Sequence, residues 1–212
     1  MRGRGARGDR GDDPAAARPS GHVTRLVHAA RWVSILAHPF VMIALLVTVA
    51  GWRFAPETQV FRSVLAVTIA VVVPVAILML VQVRHGRWSN VDASNPEERG
   101  VLFIVALAAL AALLTWLLLK DPRSFLVRGV IVTAILLAVV AVLTRWIKLS
   151  LHLAFAGMAA MALTLIGSRV GFALIGVVPL LCWSRLALSR HRPVELAFGL
   201  ALGVLAGVAL VV

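Results

Sequence analysis

The stretch "GVLFIVALAALAALLTWLLL" (100–119) carries no charged residue. A helix crosses a bilayer when about 20 consecutive residues are predominantly apolar. Similar runs lie near 33–51, 61–83, 101–119, 126–144, 149–167, 170–183 and 196–212. Inside hydrocarbon every backbone polar group must be paired within the protein, so only helices and closed barrels span it. A barrel needs segments of about ten residues that alternate apolar and polar, and these unbroken runs exclude it. The sequence therefore predicts an all-α fold, a polytopic transmembrane helical bundle of six to seven spans. The range reflects 170–183, which is short and contains Pro179.

Composition agrees, since 61% of the 212 residues are hydrophobic and soluble domains stay nearer half. Trp32, Trp52, Trp88, Trp116, Trp146 and Trp183 sit at or near run ends, where amphipathic rings favour the headgroup zone. Cys182 is the single cysteine, so no intrachain disulfide is possible. Nineteen arginines against only Lys120 and Lys148, with much Ala, Val, Leu and Gly, suggest a GC-rich bacterial genome and hence the inner (plasma) membrane. The net charge of +12 is scattered over helix ends and a tail. It forms no basic domain with stacking aromatics, which argues against a nucleic-acid partner and for lipid headgroups or phosphates.

Two units are expected. Residues 1–24, rich in Gly, Pro, Arg and Asp, read as a disordered basic tail; they lack the apolar core of a cleaved signal peptide. Residues 25–212 form the transmembrane domain, opened by "RLVHAARWVSI" as a short interfacial lead-in.

Three polar islands break the apolar body: "RHGRWSNVDASNPEERG" (84–100), "RWIKLSLH" (145–152) and "SRLALSRHRPVELAFG" (184–199). If each run crosses once, all three emerge at the same face. In the third, Pro193 suits a first helical turn, which places Glu195 within reach of His191. A carboxylate on one imidazole nitrogen fixes the tautomer and leaves the other nitrogen to attack or to take a proton. Arg185, Arg190 and Arg192 suit phosphoryl oxygens, and they equally suit a cytoplasmic positive cluster that Glu195 neutralises. In the second, His152 falls just inside a span, where an ionisable group usually faces the bundle interior. It reads either as a general acid, with Ser150 and Lys148 on phosphate, or as a histidine bonded to a neighbouring helix. In the first, Asn95–Pro96 signals a turn and Glu97 and Glu98 suit the next helix start; Arg99 is the residue placed to reach inward. His38–Pro39, inside the first run, reads as a packing or kink element.

These residues resemble the type 2 phosphatidic acid phosphatase (PAP2) superfamily, whose pattern is K-x6-R-P, then P-S-G-H, then S-R-x5-H-x3-D. "SRLALSRHRPVE" matches the third element at Ser184, Arg185 and His191, with Glu195 in place of the aspartate. Ser150 and His152 keep the S-x-H spacing of the second, with Leu149 and Leu151 replacing Pro and Gly. Arg99 matches the arginine of the first, Gly100 replaces its proline, and Asp92 stands at its lysine. "GRWSNVDASNPEERG" and "AHPF" are similar to a divergent bacterial branch. A literal "PSGH" at Pro19–His22 precedes all of these and is set aside as coincidence. The resemblance covers roughly 33–212 and implies a PAP2-like core.

It also implies a lipid phosphatase acting on a lipid phosphate or polyprenyl (pyro)phosphate, with no metal and no cofactor. His191 would be the nucleophile, Glu195 its orienting carboxylate and His152 the general acid. Arg99, Arg185, Ser150 and Ser184 would hold substrate, and Lys148 is conjectured to stand in for the missing lysine. Two alternatives keep the scaffold: a lipid phosphotransferase, or a non-catalytic protein that binds lipids. A transporter fits less well, because its polar groups would sit near the midplane. Fifteen of the 21 basic residues fall on the face of the tail and islands. The positive-inside rule puts that face in the cytoplasm, whereas the resemblance implies the outer face.

Overall fold

The computed structural model describes residues 21–88 and 96–212, and these are helical with no strand among them. The helices are α1 (Gly21–Leu36), α2 (Pro39–Phe54), α3 (Glu57–Val67), α4 (Val73–Arg84), α5 (Pro96–Lys120), α6 (Phe125–Leu143), α7 (Leu151–Leu165), α8 (Arg169–Ala187) and α9 (Pro193–Val211). Residues 1–20 lie outside the described part, so the tail is untouched by it; helix α1 already begins at Gly21, four residues before the expected domain start.

Among the described residues, five segments are long and apolar enough to cross a membrane: Glu57–Arg84, Glu98–Lys120, Phe125–Leu143, Arg169–Ala187 and Pro193–Val211. A sixth arises if α1 and α2, bent by 42° at their junction, count as one. Such a set marks an integral membrane protein. Of the expected runs, 170–183, doubtful for its length and Pro179, lies within the full-length span of α8. The one that falls short is 149–167, whose helix α7 is only 15 residues long. It is instead the bundle's central element, with eleven of its fifteen residues buried.

Local sequence explains the breaks. His38 caps α2, its Nδ1 accepting the Phe40 N–H at 3.3 Å, and Pro39 occupies the first turn, where its missing N–H costs nothing. Pro74 cannot donate and its ring would strike the carbonyl one turn back. The helix accommodates it with a π-helical turn over Thr68–Val72, so α3 and α4 continue as one 28-residue rod. Pro179 sits inside α8 without ending it. Gly167, at φ 77°, turns the chain into α8, where Ser168 Oγ caps the Val170 N–H.

Packing is closest between α7 and α9. Gly199, Gly203 and Gly207 recur every fourth residue on α9 and face backbone of Ser150, Ala154 and Met158, also every fourth residue, on α7. Small residues let two membrane helices approach to backbone contact. Helix α8 lies against both α7 and α1, α2 against α7 and α3, and α5 against α6 and the π-helical rod. Five of the tryptophans are exposed as expected, but Trp88 is buried in the core, not set among headgroups.

Candidate functional site

Chain direction brings the islands together. Helices α2, α5 and α7 begin at one end of the bundle and α8 finishes there, so His38, Arg99, His152, Arg185 and His191 line one cavity of about 330 Å³. These five side chains mark one end, and Arg128 stands at the other. From the first end it runs between α2, α5, α6, α7 and the π-helical rod, past Leu46, Val71, Ala106 and Val130, to Phe54, Phe125 and Arg128. Facing residues on α2 extend from Pro39 to Phe54, the full 16-residue helix, or about 24 Å at 1.5 Å per residue. The cavity is thus a long aliphatic groove with a histidine–arginine head.

His191 follows the end of α8 through a tight turn. The Arg190 N–H reaches back to the Arg185 carbonyl and Ser189 takes φ 52°, a left-handed helix stop that here uses serine where glycine is usual. Pro193 then starts α9, and Glu195 in its first turn accepts from the Arg192 N–H at 3.2 Å and from His191 Nδ1 at 2.9 Å. The Lys148 carbonyl lies 3.1 Å from the same Nδ1. Both partners can only accept, so Nδ1 carries the proton and Nε2 keeps its lone pair. Burial, opposed by the Glu195 hydrogen bond and reinforced by Arg185 and Arg99, lowers the His191 pKa to about 4. At neutral pH the ring is uncharged.

The two arginines are fixed by neighbours. Arg99 Nη1 donates to the Leu149 carbonyl at 2.8 Å, tying α5 to the start of α7. Arg185 Nη1 donates to Ser34 Oγ at 2.7 Å. Both are buried while lining the cavity, which leaves each guanidinium held in place before any ligand arrives. His152 lines it too.

Other expected contacts are placed differently. Ser184 does not line the cavity: its hydroxyl is fully buried and donates to the Ala30 carbonyl at 2.6 Å, fastening α8 to α1. Ser150 is also fully buried outside the lining, with no hydrogen-bond partner for Oγ. Its N–H approaches the Glu195 carbonyl at 3.4 Å. Lys148 meets His191 through its carbonyl, and its ammonium is absent from the lining. Burial and then the Arg99 charge pull that ammonium below its ordinary pKa, with Glu195 opposing them. Asp92, Ser94 and Asn95 lie outside the described residues, as does the side chain of Glu97.

Two residues enter that sequence reasoning gave no site role. His38, read as a kink, does stand at the bend, yet its ring packs edge-to-face on His152 with centroids 5.3 Å apart. The "AHPF" string was its only signal. Ser34, the partner of Arg185, has no local signal at all, since the two are 151 residues apart.

The fold and the site define an integral-membrane helical bundle with an aliphatic groove ending in three histidines and two arginines. No protein-family model, no curated protein and no solved structure matches the chain.

Proposed function

We propose that the protein is a membrane phosphatase that hydrolyses a lipid phosphate or polyprenyl (pyro)phosphate through a phosphohistidine at His191, as a divergent PAP2-like enzyme of a bacterial inner membrane. One observation carries the reading. A histidine whose Nδ1–H is engaged by Glu195 and the Lys148 carbonyl shares a cavity with two fixed guanidiniums and a second histidine, and that cavity continues as an apolar groove. The groove suits a lipid chain and the head suits its phosphate.

In the first step His191 Nε2 attacks phosphorus as the P–O bond to the leaving group breaks, and protonated His152 gives that oxygen its proton. Phosphorylation makes the His191 ring cationic, and Glu195 stabilises it through Nδ1–H. Arg99 and Arg185 take the charge developing on the phosphoryl oxygens. In the second step water attacks phosphorus and passes a proton to His152. The N–P bond breaks, returning its electron pair to Nε2 and restoring both histidines.

The test is phosphate release from phosphatidic acid and a polyprenyl diphosphate by purified protein, with acid-labile, alkali-stable labelling of His191. His191→Gln should fall to background; release at the parental rate would remove the nucleophile assignment. The burial of Ser150 and Ser184 away from the lining favours a second reading, a lipid-binding protein that does not turn its ligand over. Parental protein that binds these lipids and releases no phosphate would select it.

A further inference from the structure

A second, more open cavity of about 550 Å³ lies between α1 and the turn joining α8 to α9. Arg31, Ser34, His38, Ser189 and Arg190 are among its lining residues. It shares a wall with the groove. His38 lines both cavities; Ser34 lines this vestibule and accepts the hydrogen bond of Arg185, which lines the groove. One imidazole is common to both linings, and one hydroxyl–guanidinium hydrogen bond joins them.

Their proportions differ. Most of the groove's length is apolar between its charged ends, whereas the smaller lining of the vestibule brings Arg31 and Arg190 together with Ser34 and Ser189. Guanidinium is permanently charged, and its fork of N–H donors matches phosphate oxygens. Hydrolysis of a lipid phosphate makes one product for each environment. The alcohol keeps its chain in the groove, and orthophosphate must reach water without crossing it.

We propose that the vestibule is a water-side anion port, binding orthophosphate between Arg31 and Arg190 as it leaves the site past His38. The identity of the anion rests on the phosphatase reading; the binding site itself does not. An anionic lipid headgroup would present the same phosphate chemistry, so the test separates the two sources.

Inorganic phosphate is titrated against the full chain in zwitterionic nanodiscs, read by calorimetry and ³¹P line broadening. Arg31→Glu, Arg31→Gln and Arg190→Gln are compared with Arg145→Gln, a control on an exposed arginine of the same end. Arg31 is exposed and Arg190 half-buried, so these substitutions leave the core intact. Phosphate affinity should drop at least tenfold in each vestibule variant and hold in the control. Product inhibition should weaken in parallel. No phosphate binding by the parent, or equal binding by all variants, overturns the proposal. So does phosphate binding that anionic-lipid nanodiscs abolish in the parent, since a headgroup would then be the occupant. Vestibule-dependent phosphate binding in a protein that hydrolyses no lipid phosphate supports the port and defeats only the phosphatase reading.

Discussion

Gly199→Ala tests whether backbone contact between α7 and α9 sets the geometry of the site. A Cβ at this position would stand 2.7 Å from the Ser150 carbonyl oxygen and 3.2 Å from the Ser150 nitrogen, where ordinary contact begins at 3.4 Å. Both obstacles are backbone, so no rotamer change relieves them, and the helices must part by about 0.7 Å, the shortfall at the oxygen. Overpacking of this kind costs about 1–3 kcal/mol, partly offset by the roughly 0.5–1 kcal/mol gained when alanine replaces a mid-helix glycine. The net expectation is a loss of about 1–2 kcal/mol. Gly176→Ala on α8 supplies the control, because a Cβ there meets nothing within 4 Å; it should gain the propensity term alone. The same movement pulls Glu195 from the start of α7, where the Ser150 N–H to Glu195 carbonyl distance is already 3.4 Å. A misplacement of about 1 Å can cost about a hundredfold in rate, so kcat should fall by roughly ten- to a hundredfold. Reversible denaturation in mixed micelles measures stability, and phosphate release measures rate. Gly199→Ala as stable as Gly176→Ala would refute the close-contact argument.

Three further outcomes follow from the site. His191 is neutral above about pH 4, so under the phosphatase reading the acid limb of kcat/KM that belongs to it should lie near that value, well below the ordinary histidine range. Glu195 raises that pKa, so Glu195→Gln should move the limb lower still while reducing the rate; an upward shift in the pH–rate profile would contradict the assigned hydrogen bond. His38→Asn keeps a good helix cap but removes the ring on His152, so it should retain parental thermal stability and lose roughly tenfold or more in kcat. His38→Ala should lose about 1 kcal/mol as well, and a fully active His38→Asn would reduce His38 to a cap. Ser150→Ala removes a fully buried hydroxyl without a hydrogen-bond partner, whose burial costs about 1–3 kcal/mol. The variant should unfold later than the parent, and a destabilised Ser150→Ala would reveal a partner for that oxygen.

What the sequence made legible was whatever follows from spacing along the chain. Apolar run lengths gave the helices, and one residue or more from each polar island, Arg99, His152, Arg185 and His191, lines the same cavity. Four-residue spacing with Pro193 between gave the His191–Glu195 pair. Contacts between distant helices left no such trace. Ser184 and Arg185 were both expected on substrate, and only the structure separates them, through the Ala30 carbonyl and Ser34. The Lys148 carbonyl is invisible for another reason: a backbone acceptor can come from any residue, so identity says nothing about it. His38 shows that a correct local reading can conceal a second one. The His–Pro pair does mark the bend, and the bend is what carries the imidazole to His152. The π-helical turn ahead of Pro74 was not expected at all, because proline alone does not distinguish a kink from a turn that absorbs it.

The two sides of the bundle are built by opposite means, and the proposed lipid phosphatase would need both. On one side the glycines of α9 lock onto α7, fixing His191, Glu195, Arg99 and the Leu149 carbonyl relative to one another through backbone contact. Membrane helices gain little from hydrophobicity alone when they associate, because lipid is as apolar as leucine, so close packing of small residues has to supply that rigidity. On the other side α2, α5 and the π-helical rod present branched and aromatic side chains that prevent such approach, and the groove is the space they leave. The π-helical turn matters here: Val67, Val71, Val75 and Met79 straddle it and all line the groove. A regular helix advances four residues through about 400°, and the row would creep around the rod. The wider turn slows that creep at its middle. Pro74, an obstacle to a regular helix, therefore helps keep one apolar stripe turned toward the groove.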